Sequence, residues 1–282
     1  MVLGRLPLIP VCLAVVACWT VTTHQVSEAA EKVRKPVVMK YLKYDPALPQ
    51  SGLFEAMDEK KVSVRLSAKS EFEGHLYVEN KTDAPLTIQM PEAFVGVQVL
   101  AQFQQQGGQQ QGGQGGQGGQ NQAAGGGGGG QQGGQQGGQQ GGQQLFSIPI
   151  ATIAKVPVNM VCLEHGKKTP SQRLHYTIVR PEEYSSDPRV HELCKMVGTG
   201  RLNRASAQAA AWHIANNMSW ADLANKTQHS ISSGDSPYFT RDQLIAAQAI
   251  VSGADYRVSV LKERGELAST PTKTSSSSAA AK

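Results

Sequence analysis

Two cysteines and two histidines carry the spacing in this chain that could do chemistry: Cys162-Leu163-Glu164-His165 and His191-Glu192-Leu193-Cys194. Two thiolates and two imidazoles suit tetrahedral zinc. On a helix, His191 and Cys194 share a face. In an extended strand, Cys162 and His165 point to opposite faces unless Gly166 opens a turn beside them. The same two cysteines are the only ones that survive removal of an N-terminal export signal, and in an oxidising compartment such a pair reads first as a disulfide. A Cys162–Cys194 bridge would close a loop of roughly 30 residues and contribute about 3–4 kcal/mol on chain-entropy reasoning. The disulfide is the primary expectation. Zinc held by Cys162, His165, His191 and Cys194 is the alternative, and unpaired thiols are the third reading.

No other constellation points to a reaction. A nucleophile needs a positioned base, and no G-x-S-x-G or comparable context occurs. His213 stands beside Trp212 in an alanine-rich run and reads as a packing residue. Glu71 with Glu73, and Glu182 with Glu183, are acids without a visible partner in sequence. The run GGGGGG lacks the following lysine and the strand-to-helix context of a phosphate loop. No catalytic residue and no bound cofactor are therefore assigned, zinc aside. The net charge is +5, without a basic stripe interleaved with aromatics, so nucleic acid has no support as a partner.

The N-terminus sets the compartment. Arg5 precedes the apolar run Leu6 to Trp19, too short to prefer a membrane span and typical of a signal peptide over residues 1–30. Val15-Val16-Ala17-Cys18 also resembles a lipobox, which would leave Cys18 as a lipidated N-terminus; otherwise cleavage falls between Thr23 and Ala30. The protein is thus expected in the periplasm or on the cell surface, in contact with a membrane only through such an anchor.

Period-2 hydrophobicity dominates the middle of the chain. An extension at 31–60 holds one edge strand at Val37–Met39 and a helical turn at Leu53–Met57. Val62, Val64 and Leu66 then share one strand face; Leu76 and Val78, and Leu86, Ile88 and Met90, repeat the pattern. Phe94 to Phe103 is a further strand, and Phe146–Ile150, Val156–Leu163 and His175–Val179 resume the series. Between them lie the 43 residues Gln102–Gln144, of which 20 are Gly and 19 Gln. That composition buries too little apolar surface to offset ordering entropy. The sequence therefore predicts an α+β protein: an antiparallel β-sandwich-like domain over 61–180, interrupted by a disordered loop at 102–144. On this reading a chain lacking Gln104–Gln143 keeps its cooperative transition.

After Pro181 the period changes to that of helices. Asp187-Pro188 starts one that ends near Gly198; Ala205–Asn216 is a second; Ser219 with Asp222 and Thr240 with Gln243 are capping boxes for two more. Leu244, Ala247, Val251, Ala254, Val258 and Leu261 form a stripe that faces either the protein's own core or a partner helix. A helical region at 187–265 and an unstructured tail at 266–282 complete the chain.

The runs VENKTDAPLTIQMPEAFVGVQVLAQF, VPVNMVCLEHGKKTP and AQAAAWHIANNMSWADLA, with the Gly-rich insertion between the first two, resemble an uncharacterised family of exported proteins from planctomycete bacteria. The resemblance spans about residues 50–262 and implies bacterial export, which lowers the weight of the sequons at Asn80, Asn217 and Asn225. It implies no activity. The expected function is a non-enzymatic envelope or surface protein with a structural or macromolecule-binding role, its partner another envelope protein or polymer. The competing class is a secreted hydrolase or zinc-dependent enzyme using the Cys/His cluster.

Overall fold

The computed structural model describes residues 36–99, 123–127, 138–140, 143–230 and 234–267. The signal segment, Cys18, residues 100–122 and 128–137 of the insertion and its flank, and the tail from 268 lie outside them. The elements in chain order are β1 (Val37–Met39), β2 (Gln50–Gly52), α1 (Leu53–Asp58), β3 (Val62–Ala68), β4 (Glu73–Asn80), β5 (Leu86–Gln89) and β6 (Phe94–Gln98). There follow β7 (Ala124–Gly127), β8 (Gly138–Gln140), β9 (Gln143–Ile148), β10 (Thr152–Cys162) and β11 (Tyr176–Val179). The rest comprises α2 (Pro181–Tyr184), α3 (Pro188–Gly198), α4 (Arg204–Asn216), α5 (Trp220–Asn225), the hairpin β12 (Thr227–Ser230) and β13 (Gly234–Pro237), and α6 (Arg241–Glu263).

The alternation read in β3 and β4 sets the first hairpin, with Leu66 opposite Leu76 and Val64 opposite Val78. Asn80 ends it: its side-chain amide donates to Ala84 O and Ile148 O, while its oxygen accepts from the Thr82 amide. The sequon asparagine is thus consumed inside the fold, 3% exposed.

The length of β10 decides the architecture. Along Ile153–Asn159 one edge pairs with β4, and along Asn159–Cys162 the other edge pairs with β7. With the order β10-β4-β3-β11-β6-β7, that last pairing closes six antiparallel strands into a ring. The expected sandwich is corrected here: the six strands close into a barrel-like ring, joined between β3 and β11 by the single pair Leu66–Tyr176, and flanked by a four-stranded sheet, β2-β5-β9-β8. The chain is α+β with mainly antiparallel sheets, as its periodicities require.

The second correction concerns the Gly/Gln tract. Ala124–Gly127 is a buried wall strand, paired with β6 on one side and β10 on the other. Composition misleads because this strand buries backbone rather than side chains, and its amides and carbonyls are satisfied by the ladders. Gly138–Gln140 and Gln143–Gln144 also lie in strands.

The wall made by β6, β7 and the end of β10 separates two cores. Phe94, Ala124 and Met160 face inward with Leu66, Leu76, Val156 and Tyr176, together with Ile88, Phe146 and Ile148 of the small sheet and Leu53 of α1. Val95, Ala123, Val161 and Leu163 face outward, against α3, α4 and α6. Ala247, Val251 and Ala254 of the stripe on α6 are buried in this outer core, with Leu244 packed against it and Val258 also buried, so the stripe serves the protein's own core. This helix is long and apolar enough to cross a membrane by length and composition.

Glycine lets the helical layer sit close to the wall. A methyl group on Gly125 would stand 2.5 Å from Cys194 Sγ, and one on Gly198 would stand 2.6 Å from Gly127 Cα. Both lie inside van der Waals contact, so α3 could not rest on a strand that carried side chains there.

Candidate functional site

Strand alternation places the cysteines apart. Val161 and Leu163 point to the outer core, so Cys162 between them points to the opposite face of β10. Cys194 lies on α3 in the outer core with Val161, Leu163 and Gly125. The wall strand therefore stands between the two thiols, whereas a disulfide needs Cβ atoms about 3.5–4.5 Å apart. The expected Cys162–Cys194 bond is absent; both cysteines are buried free thiols. Burial pushes each thiol up to about 12, with Glu71 and Glu164 adding to the effect at Cys162 and Glu182 at Cys194. A chain lacking residues 1–30, which holds Cys162 and Cys194 as its only cysteines, should react with no equivalent of a thiol reagent when native at neutral pH, and with two when denatured. A non-reduced chain that yields no thiol in denaturant would show the pairing to exist.

The zinc set divides along the same line. Gly166 does adopt a left-handed turn, φ +85°, and this brings Cys162 and His165 to one cleft. His191 lies elsewhere: its Nε2 is 2.6 Å from Ser185 O and its Nδ1 3.7 Å from Glu182. Among the described residues no group of three or more His, Cys, Asp or Glu is placed to hold a metal ion.

The cleft of about 250 Å³ is lined by Glu71, Cys162, His165, Trp212, Lys226 and Tyr238, among others. Three segments build it. The end of β10 and its turn supply Cys162 and His165. On α4, Gln208 and Trp212 are four residues apart and so share a helix face. The buried Gln208 amide clamps the backbone of Cys162, accepting from its N–H at 2.9 Å and donating to its carbonyl at 2.7 Å. Lys226 follows α5, and Tyr238 follows β13. The His165 backbone is held by Asn216 Oδ1 at 3.0 Å.

Within the cleft Lys226 Nζ lies 5.3 Å from the Trp212 ring centre and 5.2 Å from that of Tyr238, a cation over two aromatic faces. It donates to His165 Nε2 at 3.0 Å, which requires a neutral imidazole with its proton on Nδ1. Burial, and then the charge of Lys226, lower the pKa of His165. Burial, with Glu71 and Cys162, pushes Tyr238 up to about 12. Trp212 is 5% exposed, and its Nε1–H has no hydrogen-bond partner among the described residues. Cys162 is thus a protonated thiol, and the nearby imidazole is engaged by an ammonium rather than by the sulfur. The arrangement offers cation, aromatic and hydrogen-bond donors, not an activated nucleophile.

Sequence reasoning missed Lys226, Tyr238 and Gln208. Each comes from a segment remote from Cys162, and none carries a local pattern. His213, beside Trp212, stacks on Trp220 at 4.2 Å and places Nδ1 2.7 Å from Met218 O, a packing position.

A second cleft, of about 430 Å³, opens where the turn between α3 and α4 overhangs the β3–β4 hairpin and the middle of β10. Lys69, Glu73, His75, Arg201 and Arg204 line it. Glu73 joins Lys69 at 2.8 Å and Arg204 at 3.2 Å. The Lys69 hydrogen bond is the main cause of its lowered pKa. No known protein family, curated protein or solved structure matches this chain.

Proposed function

We propose that this is an exported, non-enzymatic envelope or surface protein whose folded part binds another macromolecule, a protein or polymer of the envelope. The observation that carries this reading is the state of the Cys162–His165 cleft: its thiol is protonated and its imidazole is bound to Lys226, so the groups best suited to chemistry are inactive as a nucleophile and base. What the cleft presents is the Lys226 ammonium lying over the Trp212 and Tyr238 rings. Aromatic and cationic anchors of this kind carry much of the energy at recognition surfaces. A closed barrel braced by helices supports the reading as a rigid platform for them. Export and affiliation with the planctomycete family belong to the same proposal.

The test uses the mature protein immobilised against a cell-envelope extract, with Lys226→Met and Trp212→Phe as variants. Both changes keep most of the packing volume; the first removes the cation and the second trims one of the two rings it lies over. Retention of a defined envelope component should weaken at least about tenfold in each, the scale of an anchor residue. Zinc-dependent hydrolysis by the wild type, abolished by His191→Ala, would overturn the proposal in favour of an enzyme. Retention unaltered by both variants would remove this cleft from it.

A further inference from the structure

We propose that the cleft between the β3–β4 hairpin and the α3–α4 turn is a binding site for a phosphate group. Three cations line it from three separate segments: Lys69 from the hairpin, Arg201 from the turn and Arg204 from the first residue of α4. One carboxylate, Glu73, lies among them. It bridges Lys69 and Arg204, one carboxylate oxygen to each. That leaves Arg201 without an ion pair among the described residues, and an excess of positive charge in a concave space. Concavity concentrates the field of such a cluster.

The shape and chemistry favour a tetrahedral oxyanion. Guanidinium groups present planar forks that match phosphate oxygens two at a time, and an ammonium adds a point charge. The volume of about 430 Å³ accommodates a phosphate with part of the group that bears it. Asn159 of β10 and Thr199 of the turn add polar lining. His75 also lines the cleft; burial is the main cause of its lowered pKa, and the charges of Lys155 and Lys69 act in the same direction against Glu73.

The turn that carries Arg201 depends on the close packing of Gly198 on Gly127. Because α3 ends against the wall strand, Thr199–Leu202 is set down directly over β10. A bulkier contact would lift the arginine away from the hairpin. This site lies apart from the Cys162 cleft and stands whether that cleft binds or catalyses.

Calorimetric titration of the full-length mature protein with inorganic phosphate and with pyrophosphate tests the inference, and phosphatidic acid vesicles against neutral vesicles show whether a lipid-borne phosphate is also taken. Saturable binding of at least one phosphate probe near one equivalent is expected. Arg201→Ala should weaken it about tenfold and Arg201→Glu more, as expected for losing a charge-assisted contact. Arg201→Lys should be intermediate, and Lys262→Met, at an exposed position of α6 outside the cleft, should leave binding unchanged. Phosphate-dependent amide shifts should centre on Gly200 and Leu202. Arg201 has no ion pair among the described residues, so its variants should melt like the wild type. Absence of saturable binding to every phosphate probe, or binding insensitive to both Arg201→Ala and Arg201→Glu, would overturn the proposal.

Discussion

Deletion of residues 104–143 is expected to abolish the cooperative unfolding transition. The deletion removes β7 and β8 and with them the strand that closes the barrel. Phe94–Gly96 on one side and Asn159–Cys162 on the other would then lose their ladder partners. Each buried backbone group left unpaired costs about 1–3 kcal/mol. A handful of such groups exceeds the roughly 5–15 kcal/mol that holds a typical domain together. The two freed edges would also be open to pairing between molecules. The informative control deletes 104–119 only, which retains Ala123–Gly127 and shortens the connection from β6. Loop-closure entropy changes logarithmically with length, so this variant should melt cooperatively within a few degrees of the wild type. Thermal denaturation followed by circular dichroism separates the two. Cooperative melting of the 104–143 deletion would show that β7 is dispensable.

The second large effect is expected from a single methyl group. In Gly126→Ala the new Cβ would stand 2.0 Å from the carbonyl oxygen of Asn159, a backbone atom that cannot rotate away. Gly127→Ala meets Glu92 O at 2.2 Å in the same fashion. Overpacking a tight site costs about 1–3 kcal/mol and sometimes more, and the upper end applies where the obstacle is main chain. For a domain of this size about 3 kcal/mol lowers Tm by roughly 6–12 °C. Gly166→Ala provides the comparison: its backbone is left-handed, φ +85°, but nothing lies within 4 Å of the new atom. Only conformational strain of about 1–2 kcal/mol then applies. Equal melting temperatures for Gly126→Ala and Gly166→Ala would contradict the close packing described here.

What the sequence disclosed follows from what each element buries. The alternation of Val62, Val64 and Leu66, or of Leu86 and Ile88, shows which face is apolar, and the caps at Asp187, Ser219 and Thr240 mark helix starts with their own side chains. Strand β7 has no such mark. Its glycines bury peptide groups and leave space for a neighbour, and hydrophobic patterning is blind to both. Closure of the barrel was equally hidden, because it depends on β10 changing partners at Asn159. For the cleft, the spacing of Cys162 and His165 correctly suggested that the two could meet once Gly166 turned. The same spacing logic failed for Cys194, since the face on which Cys162 lies is set by the wall strand and not by distance along the chain.

Two methyl groups fix the frame of an otherwise uniform text. Six consecutive glycines, Gly125–Gly130, follow Ala123 and Ala124, and backbone hydrogen bonding alone would accept any of several alignments. A slip of one residue exchanges the faces of a strand. Ala124 would then occupy the seat of Gly125, where a methyl meets the sulfur of Cys194 and the side chain of Leu163. The alanines therefore act as a reading mark, one on each side of the wall, within a run of glycine and glutamine. Gain or loss of Gly-Gln units between β6 and β7 lengthens or shortens a connection at small entropic cost. An indel within Ala-Ala-Gly-Gly-Gly changes the message, because it moves the side chains that mark the two faces of β7.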